Sequence, residues 1–160
     1  MQATVAYFSV SGKNEQMAKA IDRELREKGH STELVYLKPT RPVKVISAVF
    51  QSVFSRSVEL AEHYTVGEAE LLVLVGPVWA SSVNPVTRAF LAQLSDLGGK
   101  PVINLVCGFS PHENVVREIN KQLKTNGAGR IVSKAVRLRD IDSPDKTAAL
   151  AADVVSQAVS

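Results

Sequence analysis

Five short apolar segments alternate with segments of helical periodicity, and this alternation restricts the fold more than any other feature of the chain. The apolar segments are residues 3–8, 32–37, 70–75, 101–106 and 131–138. Helical stripes separate them, such as Met17, Ile21 and Leu25, which recur about one turn apart. Strands that alternate with helices form a parallel sheet covered on both faces. The sequence therefore predicts an α/β fold with three layers.

The composition of these segments also predicts the order of the strands. The first, third and fourth are almost entirely apolar, as strands buried on both faces are. The second and fifth carry charged residues, among them Glu33, Lys134 and Arg137, which favours the two edges of the sheet. We therefore expect a doubly wound five-stranded parallel sheet in the order 2-1-3-4-5. Its switch point lies between strands 1 and 3, so the loops after those strands should line the binding crevice.

Length, composition and charge limit the class of protein. With 160 residues, 45% of them hydrophobic, the chain suits a single domain over residues 1–160. The net charge is +3, but the lysines and arginines are dispersed, so nucleic acid is not predicted as a partner. No apolar run approaches ~18 residues and no signal-peptide pattern opens the sequence, so we expect no membrane span and a cytoplasmic location.

A longer segment, residues 38–69, interrupts the alternation. Two prolines near its start predict an extended connection. Over residues 45–61 apolar side chains recur at helical spacing, which predicts an amphipathic helix of about four turns leading back to strand 3. Phe50 and Phe54 lie one turn apart in it, so a contact with a membrane surface or with a second copy of the chain remains an alternative role.

The loop after strand 1 has the composition of an anion-binding turn. Residues 9–14 read Ser-Val-Ser-Gly-Lys-Asn. The start of a helix leaves backbone N–H groups without internal partners, and hydroxyl side chains ahead of it add donors. Gly12 permits a tight turn or a positive φ, and Lys13 adds positive charge. The alternative is that Ser11 or Asn14 simply caps the helix.

The junction after strand 3 carries the one tryptophan of the chain. The sequence Gly-Pro-Val-Trp-Ala over residues 76–80 follows the apolar run directly, and a helix is predicted to start at Asn84-Pro85. If the strand ends at Gly-Pro, Trp79 lies on a loop at the carboxyl edge of the sheet, where open α/β proteins bind planar ligands. The alternative is that Trp79 packs in the interior.

The loop after strand 4 offers backbone amides, a glycine, the aromatic Phe109 and a hydroxyl. The alternative is an ordinary strand-to-helix turn with Ser110 as the helix cap. Cys107 is expected to be a buried thiol, because no partner base is evident. The three histidines show no metal-binding spacing, so neither a metal site nor a catalytic side chain is predicted.

These loops all fall at one edge of the predicted sheet, and their motifs resemble those of the flavodoxin family. The phosphate loop of that family corresponds to residues 7–14, and its second flavin loop to residues 76–80 with Asn84-Pro85. In strand order and element spacing the resemblance covers essentially the whole chain. It implies a flavodoxin-like fold and non-covalently bound FMN.

The resemblance also implies which residues hold the cofactor. Those of the phosphate loop would be Ser9, Val10, Ser11, Gly12, Lys13 and Asn14. Those packed along the isoalloxazine ring would be Pro77, Val78, Trp79 and Ala80. Those closing the other edge of the ring would be Cys107, Gly108 and Phe109.

The chain departs from the family pattern in two respects. Asn14 stands where the phosphate loop commonly has a threonine hydroxyl, and the sequence pI of about 9.1 contrasts with the acidic surfaces of electron-shuttling flavodoxins. Our leading hypothesis is a redox protein that carries electrons between a reductase and an acceptor. One alternative, which a homodimer would fit, is an NAD(P)H-dependent flavin or quinone oxidoreductase. Another is a cofactor-free binding module with the same fold.

Overall fold

The computed structural model describes residues 1–43 and 58–160, which form six strands and four α-helices. The strands are β1 (Gln2–Tyr7), β2 (Ser31–Tyr36), β3 (Leu71–Trp79), β4 (Ser82–Val83), β5 (Val102–Gly108) and β6 (Ile131–Arg137). The helices are α1 (Lys13–Glu27), α2 (Pro85–Gln93), α3 (Glu113–Thr125) and α4 (Pro144–Val159). A 3₁₀ turn, Leu138–Ile141, follows β6.

Five of the strands form a parallel sheet in the order β2-β1-β3-β5-β6. Because β5 and β6 are the fourth and fifth of the predicted strands, the predicted order 2-1-3-4-5 is confirmed. The carboxyl ends of these strands share one edge, which we call the rim. The rim therefore carries the turns that follow β1, β3 and β5.

Helices cover the sheet on both faces, and the side chains of each strand alternate between them. Ala3, Val5 and Tyr7 of β1 belong to one buried cluster, together with apolar residues of α1 and α4. Ala6 and Phe8 belong to the other, with residues of α2 and α3. This two-sided burial explains why the central strands read as continuous apolar runs.

The helix face predicted for α1 is buried. Met17, Ile21 and Leu25 of α1 have no exposed surface. Helix α4 starts after Ser143, whose Oγ accepts a hydrogen bond from the N–H of Lys146 at 3.3 Å. Among the helices of residues 1–43 and 58–160, none is both long enough and apolar enough to cross a lipid bilayer.

A chain of side-chain hydrogen bonds ties α3 to the sheet. Asn104 of β5 is fully buried, and its Nδ2 donates to Asn120 Oδ1 at 2.9 Å. The Nδ2 of Asn120 then donates to Ser133 Oγ of β6, also at 2.9 Å. The midpoint of α3 is thus attached to two neighbouring strands.

The prediction that the third strand ends at Gly-Pro is wrong. Gly76 and Pro77 remain in register with β5, and Val78 and Trp79 then pair antiparallel with β4. The turn of this hairpin consists of Ala80 and Ser81. Neither is a glycine or an asparagine, the residues that usually signal such a turn. β4 is therefore a sixth strand that the sequence pattern did not reveal.

The amphipathic helix predicted over residues 45–61 lies almost entirely outside the described residues, which resume at Val58. Its predicted end is wrong, because residues 58–61 are not helical. Leu60 instead forms an isolated antiparallel bridge with Pro39, which joins the start of this connection to its later part.

Candidate functional site

The first turn of the candidate site leads from β1 into α1. Gly12 precedes the helix with φ of 84°, a left-handed conformation that favours glycine. Its N–H donates to Ser9 Oγ at 3.0 Å. Because Gly12 occupies the cap position, the alternative that Ser11 or Asn14 caps α1 is wrong, and no described side chain caps its first turn. The backbone N–H groups of that turn can therefore bind an anion.

Asn14 lies in this first turn and is only 4% exposed. Its Oδ1 accepts no hydrogen bond from any described residue. A buried polar atom without a partner costs on the order of 1–3 kcal/mol, so a bound water, ion or ligand that supplies a donor stabilises the site. The residues present fit FMN, since the helix start can hold the phosphate and the amide oxygen of Asn14 can accept from a hydroxyl of the ribityl chain.

The second turn is the β3–β4 hairpin, and Trp79 is half-buried within it. Its ring packs edge-to-face on Phe8, with ring centroids 5.6 Å apart and an interplanar angle of 78°. Phe8 stacks in turn on Tyr36 with centroids 6.2 Å apart. The alternative that Trp79 packs in the interior thus holds in part, because one edge of the indole packs against the core. The residue itself lies at the end of β3, at the rim.

The hairpin turn has a strained backbone. Ala80 and Ser81 have φ of 47° and 59°, a region that costs roughly 1–2 kcal/mol per residue outside glycine. The carbonyl oxygen of Ser81 accepts a hydrogen bond from Asn114 Nδ2 at 3.2 Å. Since Asn114 belongs to the first turn of α3, the hairpin is bound to the helix that follows the third turn.

Asn84 anchors the base of the hairpin and starts α2. Its Nδ2 donates to the carbonyl oxygen of Pro77 at 2.8 Å and to Thr87 Oγ1 at 2.7 Å. Its Oδ1 accepts from the N–H of Thr87 at 2.9 Å. Gly76 allows this close packing, because a Cβ there would lie 2.7 Å from Thr87 Oγ1. The sequence indicated the helix start at Asn84 but gave no signal for its bond to Pro77.

The third turn follows β5 and packs against the hairpin. A Cβ on Gly108 would lie 3.3 Å from the Cβ of Val78 and 3.2 Å from Cδ2 of His112. Phe109 is 91% exposed. The alternative that Ser110 caps α3 is wrong, because His112 holds the cap position.

Cys107 is 1% exposed and belongs to the cluster beneath α1 and α4. Burial raises the pKa of its thiol to about 12. The thiol is therefore protonated and unreactive at neutral pH. A ligand at the rim could therefore contact the backbone of Cys107 but not its thiol.

The three turns meet, as the sequence predicts. Phe8 and Trp79 join the first turn to the hairpin, and the contacts of Gly108 and Asn114 join the hairpin to the third turn. Val10 and Phe109, both predicted to contact the cofactor, extend into solvent beside these turns. Within residues 1–43 and 58–160, no group of three or more histidine, cysteine or acidic side chains could hold a metal ion.

In a comparison with protein families, residues 4–142 match the family described as NADPH-dependent FMN reductase. A comparison with curated protein sequences found no match.

Solved structures with a similar fold include a flavodoxin, an oxidoreductase and a flavoprotein with bound FMN. A flavodoxin from Streptococcus pneumonia TIGR4 shares 14% identity, with a TM-score of 0.64 over 98% of this chain and 99% of that protein. The apo form of an NADH:FMN oxidoreductase (EMOB) shares 18% identity, with a TM-score of 0.69 over 98% of this chain and 88% of that one. A flavoprotein from Lactobacillus acidophilus NCFM, in complex with FMN, shares 17% identity, with a TM-score of 0.62 over 88% and 96%. These likenesses confirm the flavodoxin-like fold.

Proposed function

The chain belongs to the family of NADPH-dependent FMN reductases, and we propose that it binds FMN at the rim, accepts a hydride from NADPH and passes electrons to an acceptor. Membership of the family confirms the prediction of FMN as the cofactor and of a redox function. The identity of the electron donor and of the acceptor is the part that we propose.

The meeting of the three turns is the observation that carries this proposal. Bound FMN would supply the hydride and electron chemistry. The uncapped start of α1 would hold the phosphate, with Lys13 adding positive charge beside it. Trp79 and its neighbours in the hairpin would form an apolar wall along the ring. Such a wall orients the ring and excludes water from one side of it.

The charges near the rim favour a nucleotide as the electron donor. Basic side chains follow three of the strands there, namely Lys13 after β1, Lys38 and Arg41 after β2, and Arg139 after β6. Two acidic side chains near the end of β6 are held in ion pairs. A dinucleotide with an additional phosphate on its ribose carries the complementary charge.

Electron transport between proteins is the second candidate function. Phe109 is 91% exposed and Val10 is 51% exposed, which would provide an apolar contact for a partner protein beside the flavin. In that case a separate reductase would supply the electrons.

Two measurements test these functions in turn. Because Trp79 is the one tryptophan, we expect its fluorescence to be quenched when FMN binds, and a Trp79→Phe variant to lack this signal. The FMN-loaded protein is then mixed without oxygen with NADPH or with NADH. We expect the visible absorption band of oxidised flavin to bleach with both nucleotides and faster with NADPH.

Each candidate has an outcome that contradicts it. If neither nucleotide bleaches the band while an acceptor protein rapidly oxidises the chemically reduced protein, the reductase proposal is wrong and the carrier is supported. If FMN is not taken up, both proposals are wrong, and the alternative of a cofactor-free binding module gains support.

A further inference from the structure

We infer that Asn84 is a positioning residue for the proposed flavin wall, because its side-chain amide holds the Pro77–Val78 peptide and thereby the orientation of Val78 and Trp79. The inference rests on the proposed function, since the wall matters to FMN only if the ring lies against it.

The amide of Asn84 has little freedom to rotate. Both of its donor hydrogens are used, one by the carbonyl oxygen of Pro77 and one by Thr87 Oγ1. Its oxygen accepts from the backbone of Thr87. The residue is 1% exposed, so water cannot replace these partners. Any rotation of the amide would leave a buried polar group without a partner.

The bond to Pro77 determines the direction of the following peptide. A peptide unit is planar and trans, so holding the carbonyl oxygen of Pro77 also sets the direction of the Val78 N–H. The proline ring restricts φ of Pro77 itself. Val78 and Trp79 then enter the pairing with β4.

The same bond closes the hairpin at its base. Asn84 follows the last residue of β4 directly, so its side chain joins the exit of the hairpin back to the entry at Pro77. The positive φ values of Ala80 and Ser81 persist only because the surrounding structure holds them. Asn84 is part of that support, together with the bond from Asn114 to Ser81.

Asn126 provides a matched control for this role. Its Nδ2 donates to the carbonyl oxygen of Leu91 at 3.1 Å, near the opposite end of α2. This bond has the same chemistry, an asparagine amide on a backbone carbonyl, but it does not involve the hairpin. Loss of either bond should lower stability, and loss of the Asn84 bond alone should alter the flavin site.

The experiment compares three variants. Asn84→Ser keeps an oxygen that can cap α2 but is too short to reach Pro77. Asn126→Ser removes the control bond, and Thr87→Val removes one acceptor of Asn84 while leaving the bond to Pro77. FMN affinity is measured by quenching of Trp79, and the reduction potential and absorption spectrum of the bound flavin are recorded.

We expect Asn84→Ser to weaken FMN binding roughly five- to tenfold, as the loss of one hydrogen bond and of preorganisation predicts, and to shift the potential and spectrum of the flavin. The other two variants should remain within about twofold of the wild type, with an unchanged potential. Equal affinity and equal potential in Asn84→Ser and Asn126→Ser would overturn the inference.

The FMN-free protein separates this inference from the proposed function. If the wild type binds no FMN, the near-ultraviolet circular dichroism of Trp79 still reports the order of the hairpin. Asn84→Ser should reduce that signal and Asn126→Ser should preserve it. If Asn84→Ser does not fold, Asn84→Asp serves in its place, because its carboxylate can cap α2 but cannot donate to Pro77. A wild-type signal in the folded Asn84 variant contradicts the inference.

Discussion

The β3–β4 hairpin and the turn before α1 stand side by side at the rim, but their hydrogen bonds are arranged differently. The hairpin is held by Asn84 at its base and by Asn114 at its tip. In the turn before α1, Ser9 binds the N–H of Gly12, while the helix start has no cap among the described side chains and Asn14 Oδ1 has no described partner. The hairpin needs no ligand to satisfy its hydrogen bonds, whereas the turn before α1 would gain hydrogen bonds from the proposed cofactor.

This difference gives the two regions separate roles in binding. A preformed wall lowers the ordering cost of binding a flat ring. A helix start with unused donors gains hydrogen bonds when an anion arrives, so ligand binding stabilises the folded protein there. We expect changes in the hairpin to act mainly on stability and orientation, and changes in the first turn to act mainly on affinity.

The largest expected effect is a loss of stability caused by crowding the base of the hairpin. In Gly76→Ala the new Cβ would lie 2.7 Å from Thr87 Oγ1 and 3.2 Å from Asn84 Nδ2. Because both neighbours are buried and hydrogen-bonded, we expect the free energy of unfolding to fall by about 3 kcal/mol in urea denaturation.

A double-mutant cycle with Thr87→Ala checks the cause of that loss. Removing the hydroxyl removes the closest contact, so the double variant should lose clearly less stability than the sum of the two single losses. Additive losses would show that the steric explanation is wrong.

A charge in the first turn tests the other side of the comparison. Ser11→Glu places a negative charge at the proposed phosphate site, and we expect FMN affinity to fall at least tenfold, about 1.4 kcal/mol. Ser11 is exposed, so the free energy of unfolding without FMN should hardly change. Ser11→Gln, of similar size and without charge, is the control in a fluorescence titration, and equal affinities of the two variants would contradict the prediction.

Cys107 pairs with Pro77 in the sheet, so its thiol reports whether water is excluded from the interior beside the hairpin. Burial raises the pKa of its thiol from 9.0 to about 12. The unfolded chain therefore loses this proton first as the pH rises, and the stabilising contribution, complete below pH ~9, disappears between pH ~9 and ~12.

Comparison with Cys107→Ala isolates this contribution from other titrating groups. We expect the stability of the wild type relative to the variant to fall by roughly 1 kcal/mol between pH ~8 and ~9.5. A difference that does not change with pH would mean that the thiol is accessible to water.

The smallest expected effect concerns the tip of the hairpin, where it tests whether the positive φ of Ala80 lowers stability. Ala80→Gly relieves the positive φ but adds freedom to the unfolded chain, so we expect a net gain of about 0.5 kcal/mol in the free energy of unfolding. FMN affinity should not rise with it, because the added freedom loosens the wall. Ala92→Gly, in the helical backbone of α2, is the control and should lose stability. A loss in Ala80→Gly would contradict the assignment of strain.

Much of this architecture could be predicted from residue types. The contrast between the apolar central segments and the charged second and fifth ones was enough for the strand order, because burial on both faces restricts composition. The meeting of the three turns follows from that order, since parallel strands end at one edge.

The details of the rim depend on contacts that sequence patterns do not encode. Ala80 and Ser81 adopt conformations that their side chains disfavour, so no turn signal marked the hairpin. The start of α2 at Asn84 was predicted, but the bond of its side chain to a carbonyl seven positions earlier was not. Asn14 was expected near the phosphate, and its buried oxygen became evident only from its surroundings.

Helix α3 fixes the spacing between one attachment in the interior and another at the rim. Asn120 engages Asn104 beneath the helix, while Asn114, six positions earlier, holds the tip of the hairpin. Each residue turns a helix by about 100° and advances it by about 1.5 Å. A single deletion between these two asparagines would swing one of them away from its partner, so the length of this stretch is set by both attachments even though its outward side chains are free to vary.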